Sequence, residues 1–199
     1  MHHLLILTAC LALCSAPALA ADPAADPYGP ITDVKLLKPE DKQDVKSTPP
    51  PPDAVVLFDG RNIDHWVKAR GKGAAAWKLV EGGAMQVQGG DIMTREKFGG
   101  SFRLHVEFRV PYMPKASGQG RGNSGVYVQG RYEVQVLDSY GLKSKDNDCG
   151  GIYSIAAPLV NACKAPTVWQ TYDIEFTAPT CENGKKTAPG VITVYHNGT

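Results

Sequence analysis

Four polar side chains alternate with apolar ones along one stretch of the chain. They are Gln129, Arg131, Glu133 and Gln135. Because residues two apart in a strand point to the same side, the sequence predicts that all four line one sheet face. A carboxylate there can act as a general base, a guanidinium can stabilise developing negative charge, and amides can bind hydroxyl groups. The stretch is therefore a candidate reactive surface.

A second stretch, residues 102–110, alternates in the same way and carries His105 and Glu107 among its polar side chains. A histidine and a carboxylate two apart on a strand point the same way and can share a divalent cation. Glu133 would be a third ligand if the two strands were neighbours. The simpler interpretation, which we favour, is a solvated face without metal, because an antiparallel sheet commonly wets one side.

The surroundings of the first stretch favour a sugar ligand. Four aromatic residues flank the polar faces: Tyr127, Tyr140, Tyr153 and Trp169. The preceding loop is rich in glycine, which lets backbone approach a ligand closely, and it ends in Asn123 and Ser124. Sugar hydroxyls need paired donors and acceptors, and the C–H faces of sugar rings stack on aromatic rings. We therefore predict a carbohydrate-binding groove.

The elements that would position these residues are short strands. The chain has 199 residues, a net charge of +1, 21 glycines and 15 prolines. This size suits one domain with accessory segments, and the charge gives no footprint for nucleic acid or an anionic membrane. Strand candidates follow one another from Val55 onward, with a hairpin turn at residues 81–83. The spacing predicts an all-β, two-sheet sandwich.

The N-terminal part predicts export. Residues 1–20 combine an apolar run with Ala18-Leu19-Ala20, which is typical of a cleaved signal peptide of a secreted or periplasmic protein. The apolar run is short for a bilayer span, and no other segment is a transmembrane candidate. Residues 21–54 are rich in proline and charge and predict a disordered linker, which leaves residues 55–199 as the folded domain.

The C-terminal stretch "VITVYHNGT" has the pattern of one hairpin arm followed by an Asn197-Gly198 turn. A strand that enters a turn without a return partner leaves an unpaired edge. The sequence thus predicts that the sandwich lacks at least one C-terminal strand.

Cys149, Cys163 and Cys181 remain after signal removal. One disulfide and one free thiol are plausible in an oxidising compartment, and the sequence leaves all three pairings open. No Cys-x-x-Cys spacing indicates a metal site.

Several motifs resemble the 3-keto-disaccharide hydrolase family: "LFDG" with a following tryptophan, "HVEFRVP", "GRGNSGVYVQGRYEVQVLDSYG", "CGGIY" and "WQTYDIEFTAP". The resemblance covers about residues 55–199. It implies a concanavalin-like jelly-roll sandwich and action on glycosides oxidised at C3. Cys163 and Cys181 lie outside the family pattern, which makes them a candidate disulfide pair.

The chemistry that the resemblance implies begins with the acidic C2–H of a 3-keto sugar. Removal of this proton, expulsion of the C1 substituent and addition of water give net hydrolysis by elimination and hydration. Glu133 or His105 is the candidate base, Arg131 or a divalent metal the candidate enolate stabiliser, and Asp138 the candidate acid. No cofactor is required by the pattern. Gln129, Gln135, Tyr127, Tyr140, Asn123 and Ser124 are the candidate substrate-binding residues.

Two other functions fit the same pattern. A non-catalytic carbohydrate-binding module of this fold would use the same groove residues. A retaining glycosidase would need two carboxylates about 5–5.5 Å apart. Glu133 and Asp138 are the available pair, and a bulge at residues 136–137 would be required to turn Asp138 onto the same face. Even then the pair would be equivalent to residues four apart, which lie roughly 13 Å apart along a strand, and the position of the middle acid is taken by Gln135.

Overall fold

The computed structural model describes residues 34–199, so the predicted signal peptide and the first part of the predicted linker lie outside the described residues. The described part is built from strands and two short 3-10 helices, Pro39–Lys42 and Gly118–Gly120. The strands are β1 (Trp66–Lys68), β2 (Lys78–Val80), β3 (Ala84–Gln86), β4 (Ile92–Thr94), β5 (Phe102–Phe108), β6 (Ser124–Val128), β7 (Tyr132–Val136), β8 (Gln170–Thr177), β9 (Thr180–Glu182), β10 (Lys185–Ala188) and β11 (Val191–His196). The all-β prediction is confirmed. Among the described residues, no helix has the length and apolar character needed to span a bilayer.

One layer is the antiparallel sheet of β11, β8 and β5, in that order. In its register Leu104 of β5 lies opposite Ile174 of β8, which also lies opposite Val194 of β11. Apolar residues thus stack across all three strands on one side. The other side is polar, and it pairs Arg103 with Glu175 across β5 and β8.

The second layer is the hairpin of β6 and β7, with Val126 opposite Val134 and Tyr127 opposite Glu133. Gln129 and Gly130 form its turn with positive φ angles of 56° and 60°. Two consecutive residues of this conformation give a turn whose twist matches that of the strands. The hairpin is therefore fixed in register by its own loop.

The apolar sides of the two layers pack on each other. Val128, Val134 and Val136 of the hairpin belong to one buried cluster with Tyr172, Ile174 and Phe176 of β8. The Tyr172 hydroxyl donates to the Gln135 carbonyl at 2.6 Å and so links the layers by a hydrogen bond. Because side chains alternate along a strand, the polar sides of the two layers face away from each other.

Three smaller antiparallel pairs complete the described part: β1 with β4, β2 with β3, and β9 with β10. The predicted turn at residues 81–83 joins β2 and β3. The stretch "GIYSI", residues 151–155, forms only isolated bridges at Ile152. Its backbone instead turns back on itself, since the Ile152 N–H donates to the Ala156 carbonyl.

Part of the range predicted to be a linker contacts the domain. Asp41 accepts hydrogen bonds from the Tyr140 hydroxyl, at 2.7 Å, and through its carbonyl from the Ala165 N–H. The Val45 N–H donates to the Trp169 carbonyl, and Asp44 accepts from the Trp169 N–H. These contacts attach residues 41–45 to the sandwich, and they were not visible from composition because Asp and Lys are equally typical of solvated segments.

Candidate active site

Glu133 lies half-buried on the outward side of β7, where its carboxylate extends over Gly125 of β6. A Cβ added to Gly125 would overlap the Glu133 carboxylate, so the missing side chain makes room for it. The Tyr127 hydroxyl donates to Glu133 Oε2 at 2.8 Å from the paired position on β6. The carboxylate is thus held in one place while its second oxygen stays available for a proton.

The Glu133–Tyr127 bond also changes the acidity of the phenol. The hydrogen bond to Glu133, with partial burial and the carboxylate charge, raises the pKa of Tyr127 to about 12. Asp91 adds to this effect and Arg70 opposes it, which places both charges within electrostatic range of the phenol. Tyr127 is therefore a neutral donor at any physiological pH, and Arg70 is a cation within electrostatic range of its phenol.

A buried amide group lies beside Glu133 on the same side of β7. Gln135 is 0% exposed, and its Nε2 donates to Gln119 Oε1 at 2.8 Å. Asn123 Nδ2 donates to the same oxygen at 3.0 Å, while Gln119 Nε2 donates to the Asn147 carbonyl. Gln135 Oε1 has no hydrogen-bond partner within the described residues. The amide group is therefore a buried hydrogen-bond network in which one acceptor is left without a protein donor.

Gln129 and Arg131, the other two predicted residues of the polar face, are not part of the amide group around Gln135. Gln129 and Arg131 lie in the hairpin turn and not on the strand face, because β6 ends at Val128 and β7 begins at Tyr132. Gln129 Nε2 donates to the Phe98 carbonyl at 3.0 Å, and Arg131 is exposed. The expectation of one continuous polar face over residues 129–135 is thus wrong for its first half. Ser124 opens β6 on the side of Val126, which is the apolar side.

His105 lies on the outward face of the other layer. Its Nδ1 pairs with Asp173 Oδ1 at 2.7 Å and its Nε2 with Glu107 Oε1 at 3.4 Å. Partial burial on its own would lower the pKa of His105, but Asp173 and then Glu107 outweigh it, so the pKa is raised. Because β5 pairs with β8 and not with β7, Glu133 is not beside this pair and cannot complete the predicted metal site.

Asp138 follows β7 and is buried, with its side chain only 1% exposed. Arg121 Nη2 donates to Asp138 Oδ2 at 2.5 Å. β7 ends at Val136, so the bulge that a retaining glycosidase would require at residues 136–137 does not lie within the strand, and Asp138 lies at an open pocket of about 390 Å³. The pocket is lined by Val34, Lys35, Leu37, Tyr112, Met113, Pro114, Ala116, Arg121, Asp138, Tyr140, Gly141 and Pro166. Asp138 and Tyr140 are therefore in a different recess from the Glu133 carboxylate.

The cysteines do not adopt the pairing that the resemblance suggested. Cys163 is 7% exposed and lies with Cys149 in the core cluster, whereas Cys181 is exposed on β9. Cys163 and Cys181 are both free thiols in the structure. Burial of one and exposure of the other on a separate hairpin explains why they do not pair.

Sequence reasoning missed several residues of the Glu133 site, namely Gly125, Gln119, Arg70 and Asp91. Gln119 was within the glycine-rich loop that was predicted to approach a ligand, so its importance had a sequence signal. Arg70 and Asp91 come from a different part of the chain, and only tertiary structure brings them near Tyr127.

Comparisons with known proteins agree with this all-β site. A family model described as a 3-keto-alpha-glucoside-1,2-lyase-like domain matches residues 53–199. A solved structure from Parabacteroides distasonis ATCC 8503, named "putative glycosyl hydrolase", is 37% identical with a TM-score of 0.67, and the alignment covers 81% of this chain and 75% of that chain. A second structure of the same name and organism is 17% identical with a TM-score of 0.52, over 73% and 68% of the two chains, and it supports the fold alone. Among curated proteins, no significant match to the chain is found.

Proposed function

Because the chain belongs to the family of 3-keto-alpha-glucoside-1,2-lyase-like domains, we propose that it cleaves 3-keto-glycosides at the anomeric C–O bond. The observation that carries the proposal is the Glu133 carboxylate, held by Tyr127 over the side-chain-free Gly125. A positioned carboxylate with an open approach is what abstraction of a carbon-bound proton requires.

The proposed reaction uses the C3 carbonyl of the sugar to acidify C2–H. Glu133 takes the C2 proton, and the electron pair moves onto the carbonyl oxygen as an enolate. Collapse of the enolate forms the C1–C2 double bond and breaks the bond from C1 to the leaving oxygen, which departs as an alcohol once protonated. Addition of water across the double bond, with its hydrogen going to C2 and its hydroxyl to C1, gives net hydrolysis.

Residues around Glu133 supply the remaining interactions of the proposal. Arg70, whose charge acts on the Tyr127 phenol, is the cation we assign to the enolate oxygen, in place of Arg131, which lies in the hairpin turn and not on the strand face. Tyr127 is 57% exposed and Tyr153 is 37% exposed, and the Tyr153 N–H donates to the Glu133 carbonyl. Two exposed aromatic rings near the base offer surfaces for the C–H faces of a sugar ring.

Glu133 is preferred to His105 as the base because the two lie on opposite outward sides of the sandwich and only Glu133 lies beside the amide group. Asp138 is assigned a structural role, since its carboxylate is buried and paired with Arg121. A retaining glycosidase would need that carboxylate free and close to Glu133. The geometry therefore favours elimination over double displacement.

We also propose that the protein is exported, on the strength of the signal-peptide pattern in residues 1–20. The proposed partner is an oxidised sugar or glycoside. Export of the 3-keto-glycoside enzyme would place it where glycosides from outside the cell are first met.

The test incubates the protein with a 3-keto-glycoside and, separately, with the unoxidised parent glycoside, and it measures release of the aglycone from each. Glu133→Gln is expected to lower kcat/KM by about 10²–10⁴-fold, the usual contribution of a general base. Glu107→Gln is the matched control, since it removes a partly exposed carboxylate from the opposite side, and it should retain wild-type activity. Binding of both sugars without turnover would assign the chain to carbohydrate-binding modules, and full activity of Glu133→Gln would remove Glu133 as the base.

A further inference from the structure

Cys149, Cys163 and His196 meet in the core of the sandwich, away from the Glu133 site. They are 1%, 7% and 5% exposed, respectively. One sulfur or nitrogen atom of each lies within 4.8 Å of those of the other two. The residues come from the loops after β7 and from the end of β11, so the cluster joins parts of the chain that are far apart in sequence.

The hydrogen bonds of His196 fix which ring nitrogen carries its proton. Gln170 Oε1 accepts from the Lys164 N–H at 2.8 Å, so this atom is the amide oxygen. His196 Nε2 lies 3.0 Å from the same oxygen and therefore donates to it. Burial lowers the pKa of His196 to about 4, so at neutral pH the ring is uncharged and Nδ1 holds a lone pair.

His196 Nδ1 lies toward the segment that carries Cys149. A Cβ added to Gly150, the residue next to Cys149, would stand 3.5 Å from His196 Nδ1. A ligating histidine in proteins usually donates its other N–H to a carbonyl or carboxylate, which sets the tautomer and the ring orientation. Gln170 does this here, and the same bond also satisfies the buried ring N–H of His196.

The two thiols interact with each other and with Tyr172. The Cys149 sulfur lies 3.0 Å from the Tyr172 hydroxyl. The Tyr172 hydroxyl donates its proton to the Gln135 carbonyl, so without a metal the Cys149 thiol is the donor of this contact. Cys149 and Cys163 are thus two buried thiols in one cluster, and each would give up its proton on binding a cation.

We propose that Cys149, Cys163 and His196 bind a zinc ion as a structural site. Two thiolates and one neutral imidazole balance the charge of a divalent cation, which suits a buried position. Ligand atoms of a tetrahedral zinc stand about 3.5–4 Å apart, so the cluster needs to contract by about 1 Å at most. The Tyr172 hydroxyl is neutral and donates to the Gln135 carbonyl, so it is not counted as a ligand, and the fourth position is left to a water molecule. The ion would hold β11 and the loop of residues 149–163 to the core.

A disulfide between Cys149 and Cys163 is the competing use of the two thiols. It would leave the orientation of His196 without a role, and it would form only by transfer of two electrons to an external oxidant. Zinc accounts for all three side chains and for Gln170, and it needs no redox partner. The proposal does not depend on the proposed function, because none of the four residues touches the Glu133 carboxylate.

The test is the metal content and stability of the full chain, produced with zinc and purified under reducing conditions. Wild type and Cys181→Ser, which removes the exposed thiol, are expected to bind one zinc ion per chain. Cys163→Ser is expected to lose at least about 100-fold in zinc affinity, because mutation of even the outer hydrogen-bond partners of a metal ligand typically lowers affinity 10–100-fold. Chelation should lower the Tm of the first two proteins and leave that of Cys163→Ser unchanged. Cobalt in place of zinc should give the thiolate charge-transfer absorption in wild type and Cys181→Ser only.

Three outcomes would overturn the proposal. The first is that the wild-type protein, produced with zinc, contains no bound metal. A Cys149–Cys163 disulfide, seen by mass spectrometry of peptides from protein purified without reductant, together with an absence of metal, is another. Zinc binding that disappears in Cys181→Ser and persists in Cys163→Ser would place the ion elsewhere. Circular dichroism of Cys163→Ser establishes that its loss of metal is not loss of the fold.

Discussion

The Glu133 carboxylate occupies the space that a side chain at Gly125 would take. Gly125 lies two residues along β6 from Tyr127, which is the register partner of Glu133, so Gly125 and Glu133 are diagonal neighbours on the outward side of the β6–β7 hairpin. Because glycine inside a strand is usually unfavourable by about 0.5–1 kcal/mol relative to alanine, its presence here needs a reason. The reason is the space that the Glu133 carboxylate occupies, so Gly125 serves the site and not the stability of the strand.

Gly125→Ala is therefore expected to affect activity much more than stability. The methyl group displaces the end of a flexible side chain, so the free energy of unfolding should change by no more than about 1 kcal/mol. Displacement of the carboxylate should lower kcat/KM on a 3-keto-glycoside by more than about 10-fold, since proton abstraction depends on position. Urea denaturation and kinetics on the same preparation check both numbers. Gly130→Ala in the nearby turn, where added Cβ meets nothing within 4 Å but φ is 60°, is the contrast: it should destabilise without a specific loss of activity.

Glu133→Gln is expected to bring the pKa of Tyr127 down from about 12 toward the ordinary tyrosine value. The carboxylate raises this pKa because it accepts the phenolic hydrogen and repels the phenolate, and an amide repels far less. Ultraviolet difference titration detects the phenolate, and subtraction of Tyr127→Phe isolates the one group. Identical titrations of wild type and Glu133→Gln would mean that the Tyr127–Glu133 bond is absent in solution.

The fold was largely predictable from the sequence because strand alternation is a local signal. Residues 102–108 alternate between apolar and polar side chains in sequence and between less and more exposed positions in the structure. The glycine pair at residues 82–83 predicted the turn between β2 and β3. The family resemblance, carried by long ungapped motifs, is confirmed by the family match over residues 53–199. The hairpin of β9 and β10 was missed although Asn183-Gly184 is a strong turn dipeptide, because its flanking strands are wholly exposed and so lack apolar alternation.

The site was predictable only in part, because it depends on which strands become neighbours. Glu133 accepts a hydrogen bond from Tyr127, and Gln135 and Asn123 both donate to Gln119. Their role in binding a sugar stays a prediction. His105 has the same alternation as Glu133, yet it lies in the other layer, and alternation cannot say which layer a strand joins. Burial also cannot be read from residue type: Gln135 and Asp138 are 0% and 2% exposed although both are polar.

His105 predicts a pH dependence of stability. Its pKa is raised in the folded state, so its contribution is fully present below the unfolded value of about 6.5 and is lost as pH rises through the folded value. His105→Asn should therefore reduce the free energy of unfolding at pH 5.5 and have a smaller effect at pH 9. Denaturation of both proteins across this range measures the difference.

Asp173→Asn is the companion variant for that experiment. Asp173 is the main group that raises the pKa of His105 against partial burial, through a 2.7 Å contact. Its loss should flatten the pH dependence that distinguishes wild type from His105→Asn. An equal destabilisation by His105→Asn at both ends of the range would show that the contact does not depend on the charge of the imidazole.

The Arg121–Asp138 ion pair is expected to be a stability determinant and not part of the reaction. Its carboxylate is 1% exposed, and Arg121→Met leaves that charge buried without a cation, which typically costs about 3–5 kcal/mol. Arg103→Met is the matched control, because Arg103 and Glu175 also form a direct ion pair, at 3.1 Å, but the Arg103 side chain is 86% exposed. Exposed pairs of this kind contribute about 0–1 kcal/mol.

Asp138→Asn completes the cycle with Arg121→Met. If the pair is structural, the double variant Arg121→Met/Asp138→Asn should recover part of the stability that Arg121→Met loses, because the buried charge is gone. Folded Asp138→Asn should retain kcat/KM on a 3-keto-glycoside within a few-fold, since the proposed base lies elsewhere. A loss of about 100-fold or more in a variant of unchanged stability would instead return Asp138 to the role of general acid, and the site would then extend from the Glu133 carboxylate into the recess at Arg121.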